Sequence, residues 1–122
     1  MKLTITSEAS KQINKIMTPN DVLVLDVDDG SGEFSKSYLK HLEYQLLIVD
    51  REILPAEFNQ TLTSNIGPIY FSKDTEWFLY QNMKIEFKAN SSTYRLWSTT
   101  GLLGGLPIQR AVPKTVPEIE LE

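Results

Sequence analysis

Five carboxylates, Asp21, Asp26, Asp28, Asp29 and Glu33, fall within thirteen residues that hold no lysine or arginine. Hard oxygen donors at this density can bind Ca²⁺ or Mg²⁺. An alternative function is therefore divalent-metal binding, iron included, through Asp26, Asp28, Asp29 and Glu33. The pattern is not that of a helical calcium loop, because setting Gly30 at the sixth position puts Leu25 and Val27 where ligands belong. Asp26 and Asp28 share a face of an extended segment and Asp29 opens a turn, so the plainer expectation is a solvated strand end. His41 is the single histidine, and one imidazole without a second His or Cys makes a poor metal site. It could serve as a general base, but no serine sits in a nucleophile-elbow setting. Gly101-Leu102-Leu103-Gly104-Gly105 could cradle an anion, yet it lacks the Lys-Ser/Thr ending of a phosphate loop and runs into Pro107, which predicts a flexible loop. Phe87, Tyr94, Trp77 and Trp97 could offer stacking surfaces, but at strand spacing in an acidic chain they are expected in the core.

The chain has 122 residues and no cysteine. That excludes disulfides, a thiolate nucleophile, thiolate zinc sites and cysteine-held iron-sulfur clusters. Twelve Lys and Arg against sixteen Asp and Glu give a formal charge of −4. Without a basic patch, nucleic acid is not an expected partner. The opening Met1-Lys2-Leu3-Thr4-Ile5-Thr6 leads directly into polar Ser7 and Glu8, unlike a secretory signal, and no apolar run is long enough to span a bilayer. The expected location is the cytoplasm, where the sequons at Asn59 and Asn90 would carry no sugar.

These side chains need elements to position them. Thr6 or Ser7 can cap an N-terminal helix at about 7–17, with Ala9, Ile13, Ile16 and Met17 on one face and Pro19 ending it. Val22 to Asp28 reads as an interior strand with Leu23, Leu25 and Val27 on one face, and Asp29-Gly30-Ser31-Gly32 supplies the turn. Further strands are expected at 44–50, at 60–63 and from Pro68 to Phe71. Ser72 can cap a short helix at about 73–79 that buries Trp77, Phe78 or Leu79. Met83 to Lys88 alternates apolar and charged residues as a half-solvated strand requires, and Asn90-Ser91-Ser92 turns it into a partner at 93–99. The class is mainly β with peripheral helices, a single domain over 1–112. Beyond that the prolines and acids cannot assemble an apolar face, so 113–122 is expected to be a flexible acidic tail.

In order and spacing, Leu3-Thr4-Ile5-Thr6 with Ala9, Leu23-Val24-Leu25-Asp26-Val27, Gly30-Ser31-Gly32, Phe78-Leu79, Ile85-Glu86-Phe87 and Tyr94-Arg95-Leu96 resemble the HesB-like, or A-type iron-sulfur carrier, family. The likeness covers about residues 1–108. It implies a pseudobarrel of two sheets with an N-terminal helix, and self-association. The family keeps one cysteine in the turn after the early strand and a Cys-Gly-Cys near the C-terminus. Here those positions fall at Gly30-Ser31-Gly32 and near Gly101-Leu102-Leu103-Gly104, and neither a hydroxyl nor a leucine replaces a soft anionic donor. The resemblance thus implies the scaffold, while no cofactor is expected. A non-enzymatic role in binding a protein partner, or a second copy, would use the loops Asp29, Gly30, Ser31, Gly32 and Gly101, Leu102, Leu103, Gly104.

Overall fold

The computed structural model describes residues 1–28 and 43–112. Among the described residues nine strands, β1 (Lys2–Ile5), β2 (Asp21–Asp28), β3 (Glu43–Asp50), β4 (Gln60–Ser64), β5 (Ile69–Phe71), β6 (Asn82–Lys88), β7 (Thr93–Ser98), β8 (Gly101–Gly105) and β9 (Ile108–Arg110), form one curled sheet in the order β8-β7-β6-β1-β4-β5-β2-β3-β9. It has two halves that meet where β1 and β4 pair only through Lys2 with Thr63 and Leu3 with Ser64. The segment from Gly101 to Arg110 visits both ends of this order. Gly101–Gly105 runs antiparallel to β7, the Leu106 amide donates to the Tyr94 carbonyl at 2.9 Å, the Pro107 carbonyl accepts from Leu46 N–H at 2.9 Å, and Ile108–Arg110 runs parallel to β3. One segment therefore stitches the two ends of the half-barrel together.

The helix α1 (Ser7–Ile16) starts as the sequence suggests, with Thr6 Oγ1 accepting the Ala9 amide at 3.4 Å. Its Ala9 and Ile13 sink into the main core with Leu3, Leu25, Ile85 and Leu96, so the sheet curls around the helix's apolar face. Truncating a fully buried member such as Leu25 to alanine would cost about 2–5 kcal/mol. On the opposite face of β2 and β3 lies a smaller core of Val22, Val24, Leu47, Val49 and Phe58. Burial on both faces is why these two strands read as continuous apolar runs. By contrast, Met83 and Ile85 of β6 are buried while Lys84 between them is exposed, and the alternation there is kept.

Three expectations are corrected. The segment Gly101–Gly105 is a strand, not a flexible loop, because its glycines pair with β7 across an irregularity at Leu96 and Trp97. The helix at 73–79 is a single 3₁₀ turn, Thr75–Phe78, where Ser72 Oγ accepts the Thr75 amide at 3.3 Å. That turn packs Leu79 against the core but leaves Trp77 89% exposed, since only one side of so short a turn can face inward. Asp29, Gly30, Ser31, Gly32, Glu33 and His41, together with the expected tail at 113–122, lie outside the described residues.

Candidate functional site

Strands β2 and β3 pair along their whole length, from Asp21 opposite Asp50 to Asp28 opposite Glu43. Asp28 and Glu43 thus face each other at one end of the pair. The edge strand β8 comes to the same end: Glu43 and Tyr44 line a cleft of about 520 Å³ whose other wall includes Tyr94, Leu103, Gly104 and Gly105. Of the residues singled out for interaction, Leu103 and Gly104 line this cleft, at the seam where the chain crosses from β7 to β3, while Asp29, Gly30, Ser31 and Gly32 lie outside the described residues. Beneath it, Tyr44 donates its hydroxyl to the Phe78 carbonyl at 2.7 Å, and the Phe87 and Tyr94 rings stand 5.0 Å apart. Burial pushes both tyrosine hydroxyls above their usual pKa, with Tyr80 adding to the effect on Tyr44, so neither is a base at neutral pH.

The carboxylates of β2 are not a solvated cluster. Asp21, Asp26 and Asp28 are 6%, 8% and 1% exposed, because the sheet is covered on both faces. Asp26 lies opposite Gln45, whose Nε2 donates to Oδ2 at 3.1 Å, while Thr75 Oγ1 donates to Oδ1 at 3.3 Å. A hydroxyl has one proton to give, so with Thr75 turned toward Asp26, Ser72 must donate across their 3.2 Å contact. Ser72 Oγ in turn accepts the Thr75 amide. These neutral groups tie β2, β3 and the 3₁₀ turn together. Desolvation raises the Asp26 pKa above its ordinary value, the donors from Gln45, Thr75 and the Val27 amide offset part of this, and the nearby Asp28 charge adds to the rise.

Asp21 sits at the other end of the strand and has a full-charge partner. Arg110 of β9 grips it with two nitrogens at 2.8 and 2.6 Å and also donates to the Ile16 carbonyl at the end of α1. Thr18 adds its amide at 2.7 Å and its hydroxyl at 2.9 Å. The Arg110 hydrogen bonds hold the Asp21 carboxyl well below the usual range despite its burial. Asp21 is a structural anchor, and it does not converge with Asp26 and Asp28.

Among the described residues no group of three His, Cys, Asp or Glu side chains is placed to hold a metal ion. The metal reading through Asp26, Asp28, Asp29 and Glu33 is therefore left with Asp26 engaged by Gln45 and Thr75, and with Asp29 and Glu33 outside the described residues. Around the cleft the described side chains supply aromatic, aliphatic and carboxylate surface with glycine backbone, and they include no thiolate and no imidazole. Sequence reasoning missed Gln45, Thr75, Tyr44 and Arg110, and gave Ser72 as a cap without its link through Thr75 to Asp26. A signal existed for Gln45, which interrupts an apolar run as Asp26 does, but none marks Arg110 as the partner of a residue 89 positions earlier.

Among the described residues no helix is long and apolar enough to cross a membrane. A family model described as iron-sulphur cluster biosynthesis matches residues 1–105. The fold is similar to the crystal structure of a candidate Fe-S biosynthesis protein from Lactobacillus salivarius, at 29% identity, covering 90% of this chain and 98% of that one with a TM-score of 0.78. A second such protein, from Lactobacillus acidophilus, shares the fold at 21% identity, 90% coverage of each chain and a TM-score of 0.73. No curated protein sequence matches the chain.

Proposed function

Because the chain belongs to the iron-sulphur cluster biosynthesis family, we propose that it acts as a non-enzymatic binding or accessory protein on that scaffold, without carrying a cluster through thiolates of its own. One observation supports this above the rest: a family match over residues 1–105 in a chain of 122 residues with no cysteine. The residues present do not fit a thiolate-held cluster. Where the resemblance would put the C-terminal pair of ligands, Leu103 packs against the core and Leu102 is half exposed, with glycines beside them. Iron held in a cluster needs soft anionic donors, and these positions supply none.

In this reading the cleft between β3 and β8 is the working surface, a protein in the cytoplasm is the partner, and the family's cargo is held by that partner. The experiment is affinity capture from the source cell with immobilised full-length protein, using as control a Thr93→Lys variant at an exposed residue that lines the cleft. A reproducible partner retained by the native chain and lost by the variant is expected. Capture of the same proteins by both, or of none, contradicts the reading.

A further inference from the structure

The outer side of β1, β6 and β7 gathers charge that the sequence scatters. Register sets Lys2 beside Asn82, Thr4 beside Lys84, Lys84 opposite Trp97, Glu86 opposite Arg95 and Lys88 opposite Thr93. Paired residues share a face, and the intervening Leu3, Met83, Ile85 and Leu96 are buried in the core with Ala9 and Ile13 of α1. Lys2, Lys84, Lys88 and Arg95 therefore stand together on the face turned away from α1. Glu86 is the one carboxylate on β1, β6, β7 and β8. The other five strands carry five carboxylates, Asp21, Asp26, Asp28, Glu43 and Asp50, against Arg110 alone. A chain with a net charge of −4 thus holds a basic face, which no basic run announces because its cations lie between positions 2 and 95.

These cations are not spent inside the protein. Among the described residues no ion pair or side-chain hydrogen bond holds Lys2, Lys88 or Arg95. Their spacing selects the kind of anion. Lys84 and Lys88 are four residues apart on one strand, about 13 Å, which exceeds a small anion but matches carboxylates four residues apart on a second extended chain. At one end of the face, a cleft of about 370 Å³ lined by Thr4, Met83, Lys84 and Trp97 has room for an apolar side chain. Nucleic acid fits less well. Base stacking needs a free aromatic face, yet Lys84 Nζ stands 5.9 Å from the Trp97 ring centroid, and the indole N–H donates to Glu86 Oε1 at 3.1 Å. A phosphate on every nucleotide would also meet the Glu86 carboxylate, whereas a peptide can place a neutral side chain there.

We infer that the outer face of β1, β6 and β7 docks an extended acidic segment of a protein partner, with carboxylates on Lys84 and Lys88, Lys2 and Arg95 flanking them, and an apolar side chain in the cleft beside Trp97. The inference goes beyond the accessory-protein reading and does not depend on the cleft between β3 and β8. Complementary charge would set the partner's choice and its approach, and the seated apolar side chain would hold it.

The test is an amide NMR titration of the full-length protein with three probes: a synthetic peptide in which Val alternates with Glu and Thr in turn, the same peptide with Gln for Glu, and oligothymidylate. For the Glu peptide, saturable shifts centred on residues 82–88, 95–97 and the Trp97 indole are expected, with a dissociation constant of about 10 µM to 1 mM at low salt. The Gln peptide should bind at least about tenfold more weakly, and raising salt from about 50 to 500 mM should weaken the Glu peptide at least about fivefold. Lys84→Gln with Lys88→Gln should lose about tenfold, while Lys11→Gln with Lys15→Gln, which removes the same charge from α1, should leave binding unchanged. Melting temperatures check that each variant is folded, and Lys88→Gln alone, with an expected loss of about threefold, keeps the test if the pair is unstable. No saturable shift on this face up to about 2 mM, equal binding of the Glu and Gln peptides, or equal losses in the two double variants overturns the proposal. Tighter binding of oligothymidylate than of the Glu peptide on this face also overturns it and makes nucleic acid the occupant. So does a concentration-dependent dimer through this face that the Glu peptide does not displace, which makes a second copy the occupant.

Discussion

Asp21 and Asp26 lie five residues apart on one strand, both buried, and their carboxyl pKa values move in opposite directions. At the Asp21 end, Arg110 supplies a formal charge and two hydrogen bonds, and the group ties β2 to β9 and to the end of α1. At the Asp26 end the partners are an amide and a hydroxyl, and Asp28 adds like charge. Burial alone does not decide the outcome; at Asp21 the hydrogen bonds from Arg110 outweigh it, whereas at Asp26 desolvation outweighs the donors. The end with the ion pair fastens the half-barrel, whereas the end beside the cleft keeps a carboxylate that the fold holds at a cost.

Removing the anchor should have the largest effect. Asp21→Asn leaves Arg110 without its counter-charge and should lower the melting temperature by about 5–10 °C at pH 7, read by circular dichroism. Because the folded-state pKa of Asp21 is depressed, its contribution is present above the ordinary value of 3.8 and is lost as pH falls through the folded value, so the acid limb of the stability profile should flatten in this variant. An unchanged acid limb would assign the acid sensitivity elsewhere.

Thr75→Val keeps the shape but deletes a donor to Asp26, and should cost about 1–2 kcal/mol at neutral pH in urea denaturation. That cost should shrink when Asp26→Asn is already present, and a double-mutant cycle reads the difference. A purely additive cycle would show that the Thr75 hydroxyl does not act through Asp26.

Asp26→Asn alone should leave the melting temperature unchanged or raise it by a few degrees at pH 7, opposite in sign to Asp21→Asn. The raised pKa means that stability is greatest below 3.8 and falls as pH rises through the folded value, so the advantage of the asparagine variant should grow from pH 4 to pH 7. A loss at pH 7 as large as that of Asp21→Asn would erase the contrast between the two ends. The smallest effect belongs to Trp77→Ser, which should change stability by no more than about 0.5 kcal/mol because the side chain stands in solvent.

The legible parts of the fold were those whose physics is local. Thr6 caps α1, Met83 to Lys88 alternates because one face of β6 is wet, and Val22 to Val27 reads as interior because β2 is covered on both faces. Strand β8 was hidden because three glycines in five residues carry a turn signature, and only the ladder with β7 makes them a strand. The acidic run looked solvated because a sequence does not show that a second apolar cluster covers the far face of β2. Trp77 looked like core because its size says nothing about which side of a 3₁₀ turn it occupies. Of the site, Leu103 and Gly104 were legible through the order of the motifs, but the seam that sets them beside Tyr44 comes from the crossing of Gly101–Arg110 between β7 and β3, a pairing between distant segments.

The central claim is that this member of the family keeps the scaffold without thiolate ligation. Anaerobic reconstitution of the full-length protein with ferrous iron and sulfide, followed by desalting and absorption spectroscopy, tests it directly. The account predicts no visible charge-transfer bands and no iron or sulfide retained above the level of a cysteine-free control protein. Stoichiometric iron and sulfide co-eluting with those bands would contradict it.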